Sequence, residues 1–230
     1  MTGRKYAVIG LGQFGSAIAR YLSRKGAEVI AIDSREDNVD DLKDEVAMAI
    51  VMDATDKKAL ISQGVQDVDA VIVAIGENFE ALLLCTVQLM EMNVKRIISR
   101  ANGAQQRMIL EKMGVKEILS PEDEVAIVVA EKILDPNIIS FLQLPDDYEI
   151  AELKAPPGII NRTVGEIDLR NKYRLNLVTI KREYEENKEG KVVAEKHVVG
   201  VPNSQTVIYD TDTIVVFGTG KDIERFLEIN

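Results

Sequence analysis

The chain has one cysteine and one histidine, and its acids outnumber its bases. A lone Cys85 cannot form an intrachain disulfide, which suits a reducing, cytoplasmic compartment. It ends the apolar run Ala81-Leu82-Leu83-Leu84-Cys85 and reads as a small buried hydrophobe. With His197 as the sole histidine, no cluster of His and Cys ligands for a metal can form. No Gly-Lys-Ser/Thr phosphate loop occurs, so the usual machinery of nucleoside-triphosphate hydrolysis is missing. No run approaches the ~18 apolar residues that a membrane-spanning helix needs. No signal peptide is expected either, because a glycine-rich loop begins by position 10. The net charge of −10 and a pI near 4.8 argue against nucleic acid as a partner, since such binding depends on Lys and Arg neutralising phosphates. They argue equally against adhesion to an anionic membrane surface.

At 230 residues and 46% hydrophobic, the chain can bury a real core in one large or two modest domains. Up to about residue 135 one rhythm repeats. Short apolar runs at Tyr6–Ile9, Val29–Ile32, Ala47–Val51, Ala70–Ala74, Arg96–Ser99 and Val115–Leu119 alternate with amphipathic helical stretches. Near-continuous Val and Ile without polar alternation predicts strands buried on both faces. The expected fold is α/β: a Rossmann-like doubly wound parallel sheet, a crossover helix, and a small C-terminal mixed α/β domain. The expected boundaries are 1–135 for the nucleotide-binding domain, 136–145 for a connecting segment and 146–230 for the C-terminal domain.

The first run leads straight into Gly10-Leu11-Gly12-Gln13-Phe14-Gly15, then the helical Ala17-Ile18-Ala19-Arg20-Tyr21-Leu22. One glycine allows the tight turn, one lets the backbone approach a pyrophosphate, and one lets helix and strand pack closely. The helix N-terminus then offers free N–H groups to phosphate. Asp33 follows Gly15 by 18 residues and can accept both ribose hydroxyls of an adenosine, repelling a 2′-phosphate. Ser34 and Arg35 stand beside it, and Arg35 could soften that exclusion. The structural alternative is that Asp33 caps the next helix.

Ligands of such sheets bind beyond the carboxyl ends of the strands, so the residues after each run form a set. Asp53-Ala54-Thr55 could place a carboxylate on the adenine amine with room for the ring. Equally, Asp53 or Thr55 could cap a helix over 56–62. In Ile75-Gly76-Glu77, Gly76 either admits a ligand opposite the glycine loop or makes an ordinary turn. Arg100 is either a bidentate phosphate contact or a solvated strand end. Ser120, Pro121 and the acids Glu122, Asp123 and Glu124 make a complete start signal for a helix over 122–134.

Pro136 should end that helix, and Ile138–Leu142 is a further apolar stretch suited to a dimerisation arm. Beyond it, 148–154, Asn176–Tyr184, Val192–Val199 and Thr213–Gly218 read as strands. Thr163–Tyr173 and Lys221–Ile229 read as helices, the first opening on a Thr163/Glu166 capping box. A charged loop is expected over Glu185–Gly190. No proton-transfer group accompanies the glycine loop, because His197 lies in a C-terminal hairpin. The Tyr-x-x-x-Lys matches Tyr21…Lys25 and Tyr184…Lys188 fall on the phosphate-side helix and in the charged hairpin. A nucleotide site without chemistry beside it reads as a sensor; the rivals are a small NAD-dependent oxidoreductase and an oligomerisation module with a degenerate site.

The glycine loop, Asp33, Asp53-Ala54-Thr55, the element at 74–78, Ser120-Pro121-Glu122, Gly158–Ile167 and the closing Asp212–Gly218 together resemble the RCK (regulator of potassium conductance) proteins. The likeness is to the cytosolic KtrA and TrkA subunits of bacterial potassium transporters. It implies homodimers assembling into an octameric ring on the cytoplasmic face of a membrane potassium channel or transporter. Exchange of ATP against ADP, or NADH against NAD, would reshape that ring and gate the pore. By the same resemblance Asp33 holds ribose, Asp53 and Ala54 hold adenine, Ile75 and Gly76 line the other side, and Arg100 meets a phosphate. Glu122 matches an acid that helps bind a divalent cation, Mg2+ or Ca2+, with ATP. Ile159, Ile160, Asn161 and Arg162 mark where some members bind cyclic di-AMP. One departure is Gln13, where KtrA proteins commonly carry arginine. A neutral amide cannot neutralise a γ-phosphate, which makes dinucleotides or AMP-like ligands more plausible.

Overall fold

The computed structural model describes residues 3–188 and 191–230. The chain divides into two compact units, Met1–Glu124 and Val125–Asn230. In the first, strands and helices alternate: β1 (Lys5–Ile9), α1 (Gln13–Arg24), β2 (Glu28–Asp33), α2 (Glu36–Asp40), β3 (Met48–Val51), α3 (Lys57–Ser62), β4 (Ala70–Val73), α4 (Phe79–Glu91), β5 (Ile97–Arg100), α5 (Ala104–Met113) and β6 (Glu117–Leu119). α6 (Pro121–Leu134) crosses the division. The strand order is β3-β2-β1-β4-β5-β6, and every pairing is parallel. The order reverses between β1 and β4, which opens a crevice at the strands' carboxyl ends.

Both faces of this sheet are buried, and neighbouring residues serve opposite layers. Ala7, Ile9, Ile30, Ile32, Val71 and Val73 pack with Leu82, Cys85 and Leu89 of α4. Val8, Val29, Ala31 and Ile72 pack with Ala19 of α1, Val39 and Leu42. Each fully buried Val or Ile contributes about 1.5–3 kcal/mol, which is why these strands carry no polar alternation. The observed strands shift by a residue or two from the apolar runs. β5 begins at Ile97 and takes in Arg100, so Arg100 is the last residue of a strand rather than the first of a loop.

The second unit holds β7 (Ile138–Gln143), β8 (Tyr148–Lys154), α7 (Val164–Ile167), α8 (Leu169–Tyr173), β9 (Asn176–Lys188), β10 (Lys191–Val198), β11 (Thr213–Thr219) and α9 (Gly220–Ile229). Its sheet runs β10-β9-β11-β8-β7 with antiparallel pairing throughout. Leu153, Ile180, Ile214 and Val216 meet Ile223 and Phe226 of α9 in its core. The stretch expected to connect domains or to serve as an arm is instead strand β7, paired with β8 through Ile138↔Leu153 and Phe141↔Ala151. The helix expected over 163–173 is two short helices, because Asp168 sits between them at φ 54°, in the left-handed region. The Thr163/Glu166 capping box is present. Residues 185–188 of the expected charged loop continue β9, and the remainder, 189–190, lies outside the described residues.

α6 starts on Pro121 as its first helical residue and carries Glu122, Asp123 and Glu124 in its first turn. None of its 14 residues is buried. Val125, Ile127, Val129, Ile133 and Leu134 are all exposed.

Candidate functional site at the carboxyl edge of the parallel sheet

The glycine loop leaves β1 at the switch point and turns directly into α1. Gly10 has φ +91°, and a Cβ there would stand 2.8 Å from the Ile75 nitrogen, so any side chain would be strained and would strike backbone. A Cβ on Gly15 would collide with the Gly10 carbonyl oxygen, which makes this the helix–strand packing glycine. Gly12 caps α1 without a side-chain acceptor, and a Cβ on it would meet open space. The first N–H groups of α1 therefore face an open edge with the positive end of the helix dipole behind them. Gln13 is exposed there and Phe14 half-buried.

Asp33 closes β2 and ties the loop down. Its Oδ2 accepts from the Leu11 N–H at 2.6 Å and its Oδ1 from the Arg35 N–H at 2.8 Å. Asp33 does not cap α2, whose N-cap residue is Arg35 with no side-chain bond. Each carboxylate oxygen keeps a second lone pair for a further donor. Ser34 and Arg35 are exposed beside it.

After β3, Asp53 turns its Oδ1 back on Thr55, accepting from the Thr55 N–H at 2.9 Å and hydroxyl at 2.7 Å. These bonds, the backbone one first, lower the Asp53 pKa below the ordinary aspartate value, so it is a carboxylate at neutral pH. The helix cap is neither Asp53 nor Thr55, as the sequence suggested. It is Asp56, which accepts from the N–H groups of Lys58 and Ala59. Asp53 is thereby left exposed at the edge, while Ala54 is buried below it. Cys85 lies fully buried, and burial, with a smaller contribution from Asp53, pushes its pKa up to about 12. It is an inert thiol.

After β4 come Ile75 and Gly76, both half-buried, and the exposed Glu77. A Cβ on Gly76 would lie 2.6 Å from Arg100 Nη1, so the missing side chain makes room for this guanidinium. Arg100 reaches across the edge toward α1, with its guanidinium carbon 5.7 Å from the Phe14 ring centroid. Its Nη2 donates to Glu122 at the start of α6. Its Nε is buried with no hydrogen-bond partner among the described residues, an arrangement that costs about 1–3 kcal/mol while it stays unmet. The Arg100–Glu122 pair was not foreseen from sequence; its only trace was Glu122 lying three residues beyond Leu119, which pairs with Arg100 in the sheet.

The residues expected at the edge thus lie at or just beyond the carboxyl ends of β1 to β5, with Glu122, beyond β6, joined through Arg100. Glu122 meets a cation from the protein itself, and among the described residues no group of three or more His, Cys, Asp or Glu is placed to hold a metal ion. The stretch marked for a second ligand lies in the other unit. There Ile159 is fully buried, Ile160 is half-buried and Asn161 exposed. Arg162 donates to the carbonyls of Gly158 and Glu166, both at 3.0 Å. An open cavity of about 440 Å³ in that unit is lined elsewhere, by Asn137, Lys154, Lys196 and Asp210 among others. His197 lies on β10, with Tyr184 at 5.8 Å between ring centroids. Lys25 sits over the Tyr21 ring.

A switch-point glycine loop, an acid at the end of β2 and, at the end of β5, a guanidinium whose Nε lacks an acceptor define a Rossmann-type nucleotide-binding domain joined to a small antiparallel β unit. The TrkA-N domain family matches residues 6–121 and the TrkA-C domain family residues 148–230. The chain belongs to the TrkA family. It is 35% identical over 223 residues to the Ktr system potassium uptake protein C of Bacillus subtilis, covering 97% of this chain and 96% of that protein. A crystal structure of the GsuK RCK domain shares the fold at a TM-score of 0.54, with 22% identity over 98% of this chain and 46% of that one. A structure of GsuK bound to ADP matches at a TM-score of 0.50 and 26% identity, over 58% of this chain and 34% of that one. The chain therefore spans less than half the length of either GsuK structure.

Proposed function

We propose that this chain is a cytosolic, nucleotide-sensing regulatory subunit of a membrane potassium channel or transporter. The carrying observation is the Asp33 carboxylate bonded to the glycine loop, with acceptor capacity to spare, together with an Arg100 beside Phe14 of that loop whose Nε has no partner among the described residues. That is a binding arrangement: ribose on Asp33, adenine against Asp53 and Ala54, the ligand's far side on Ile75 and Gly76, and phosphate between the α1 N-terminus and Arg100. No histidine lies in the unit that carries this edge, the single His197 being on β10 of the other unit, and Cys85 is a buried, protonated thiol. The kinship with a Ktr potassium uptake protein supplies the transport context, and the ADP-bound GsuK structure supports an adenine nucleotide as ligand. No helix among the described residues is long and apolar enough to cross a membrane, so a separate membrane subunit would carry the ion. The exposed apolar side chains of α6 suit a homodimer, and dimers of this kind would build the octameric ring. Glu122 would assist Mg2+ or Ca2+ only after leaving Arg100.

The deciding experiment is a thermal-shift panel with ATP, ADP, AMP, NAD, NADH and cyclic di-AMP, with and without Mg2+ or Ca2+. A ligand at 100 times its Kd adds about 2.7 kcal/mol, a shift of several degrees. A protein that no adenine nucleotide shifts is not a nucleotide sensor, and light scattering that finds a monomer removes the ring.

A further inference from the structure

We infer that Glu122 is an internal competitor for the phosphate subsite: its carboxylate holds the Arg100 guanidinium until a ligand phosphate displaces it. This rests on the nucleotide reading of the site and adds a residue that sets its affinity for phosphate. Three observations carry it. The Arg100 guanidinium lies at the strand-end crevice, over the notch left by Gly76 and beside Phe14 of the glycine loop, where phosphate would sit. It is already engaged by Glu122 through Nη2 alone, while Nε is buried without an acceptor. The two partners also differ in hydration, with 19% of the Arg100 side chain exposed against 51% of Glu122.

That asymmetry decides which partner can let go. A carboxylate half in water loses little by rehydrating, whereas a mostly buried guanidinium must keep an anion. A phosphate presents more acceptor oxygens than a carboxylate and can satisfy Nε and Nη together, so the exchange runs toward the ligand. It still opposes binding, because the Glu122 pair must first be given up. Phosphorylated ligands bear this opposition, and phosphate-free adenosine does not. Since Glu122 is in the first turn of α6, its release also reports phosphate occupancy to the start of that helix.

The test is calorimetric titration of the full chain with ADP, AMP and adenosine in EDTA, comparing wild type, Glu122→Gln and Asp123→Asn. Gln keeps the shape of Glu122 and one acceptor oxygen but not its charge. Asp123→Asn removes the same charge from the same helical turn without touching the Arg100 pair. Glu122→Gln is expected to tighten ADP and AMP about three- to fivefold, the upper scale of a partly exposed ion pair, with adenosine within a factor of two. Asp123→Asn is expected to leave all three within a factor of two. Unchanged or weaker ADP binding in Glu122→Gln overturns the inference, as does equal tightening in Asp123→Asn. Failure of the nucleotide reading itself is distinguishable, since neither the wild type nor Glu122→Gln would then bind any of the three.

Discussion

Replacing Asp33 by alanine tests the site at its pivot, because one carboxylate both holds the glycine loop and faces the ligand. In the free protein the change strands the Leu11 N–H, which now donates at 2.6 Å within a residue only 2% exposed. A buried donor left unmet costs about 1–3 kcal/mol. The Arg35 N–H is exposed and water can replace its partner, so urea denaturation should show a loss of about 1–3 kcal/mol and no more. Binding should fall further. Two ribose hydroxyls donating to a charged acceptor contribute about 1.5–3 kcal/mol each before competing hydration, so about 2–4 kcal/mol is expected, or roughly 30- to 1,000-fold in the Kd for ADP by calorimetry. A ligand-side control separates ribose contact from loop collapse. 2′-Deoxy-ADP should bind the wild type more weakly than ADP does, yet bind Asp33→Ala no more weakly than ADP. An Asp33→Ala protein that keeps wild-type affinity for every adenine nucleotide refutes the placement of ribose.

Gln13→Arg puts a cation at the open start of α1, where it can reach a terminal phosphate; ATP should gain about tenfold over adenosine by calorimetry, at about 0.3–1 kcal/mol of stability against the helix dipole. Arg182 donates to both oxygens of the fully buried Asp212, at 2.8 and 2.7 Å, and Arg182→Met would leave that carboxylate without its counter-charge. A loss of about 3–5 kcal/mol is expected in thermal unfolding, and a loss below about 1 kcal/mol would mean that water reaches Asp212. Glu149 has its pKa raised by burial first and then by Glu131 and Glu224. Because its folded value exceeds the unfolded one, folding is opposed as pH rises above the unfolded value. Glu149→Gln should therefore stabilise the fold at pH 7 by less than about 1 kcal/mol given its partial exposure, read as a higher melting temperature, and the gain should vanish near pH 4.

The alternating half of the fold is readable from sequence because a parallel sheet covered on both sides demands uninterrupted Val and Ile. Runs such as Val29–Ile32 and Ala70–Val73 admit few other interpretations. Ile138–Leu142 is different, being a short apolar stretch after a proline with no period that separates strand from arm. Only its pairing with Ala151 and Leu153 settles it. The break at Asp168 was equally hidden, since a left-handed residue between two short helices leaves no mark when it is not glycine. At the site, the glycines and Asp33 were legible because each answers a local geometric need. The cap of α3 was placed on Asp53 or Thr55 instead of Asp56 because all three are competent caps, and the choice depends on where Asp53 turns its carboxylate. The union of Arg100 with Glu122 is a tertiary fact, set by the register of β5 against β6.

A 14-residue helix with no buried side chain has a consequence for handling the protein. Segments of that length are marginal as helices in water, so in the homodimer proposed above α6 would draw part of its order from the partner. Folding and association then become one equilibrium rather than two. The midpoint of thermal unfolding should climb with protein concentration. Dilution alone would fray the helix that carries Glu122, and measured nucleotide affinity would drift with the amount of protein in the cell unless concentration is held fixed.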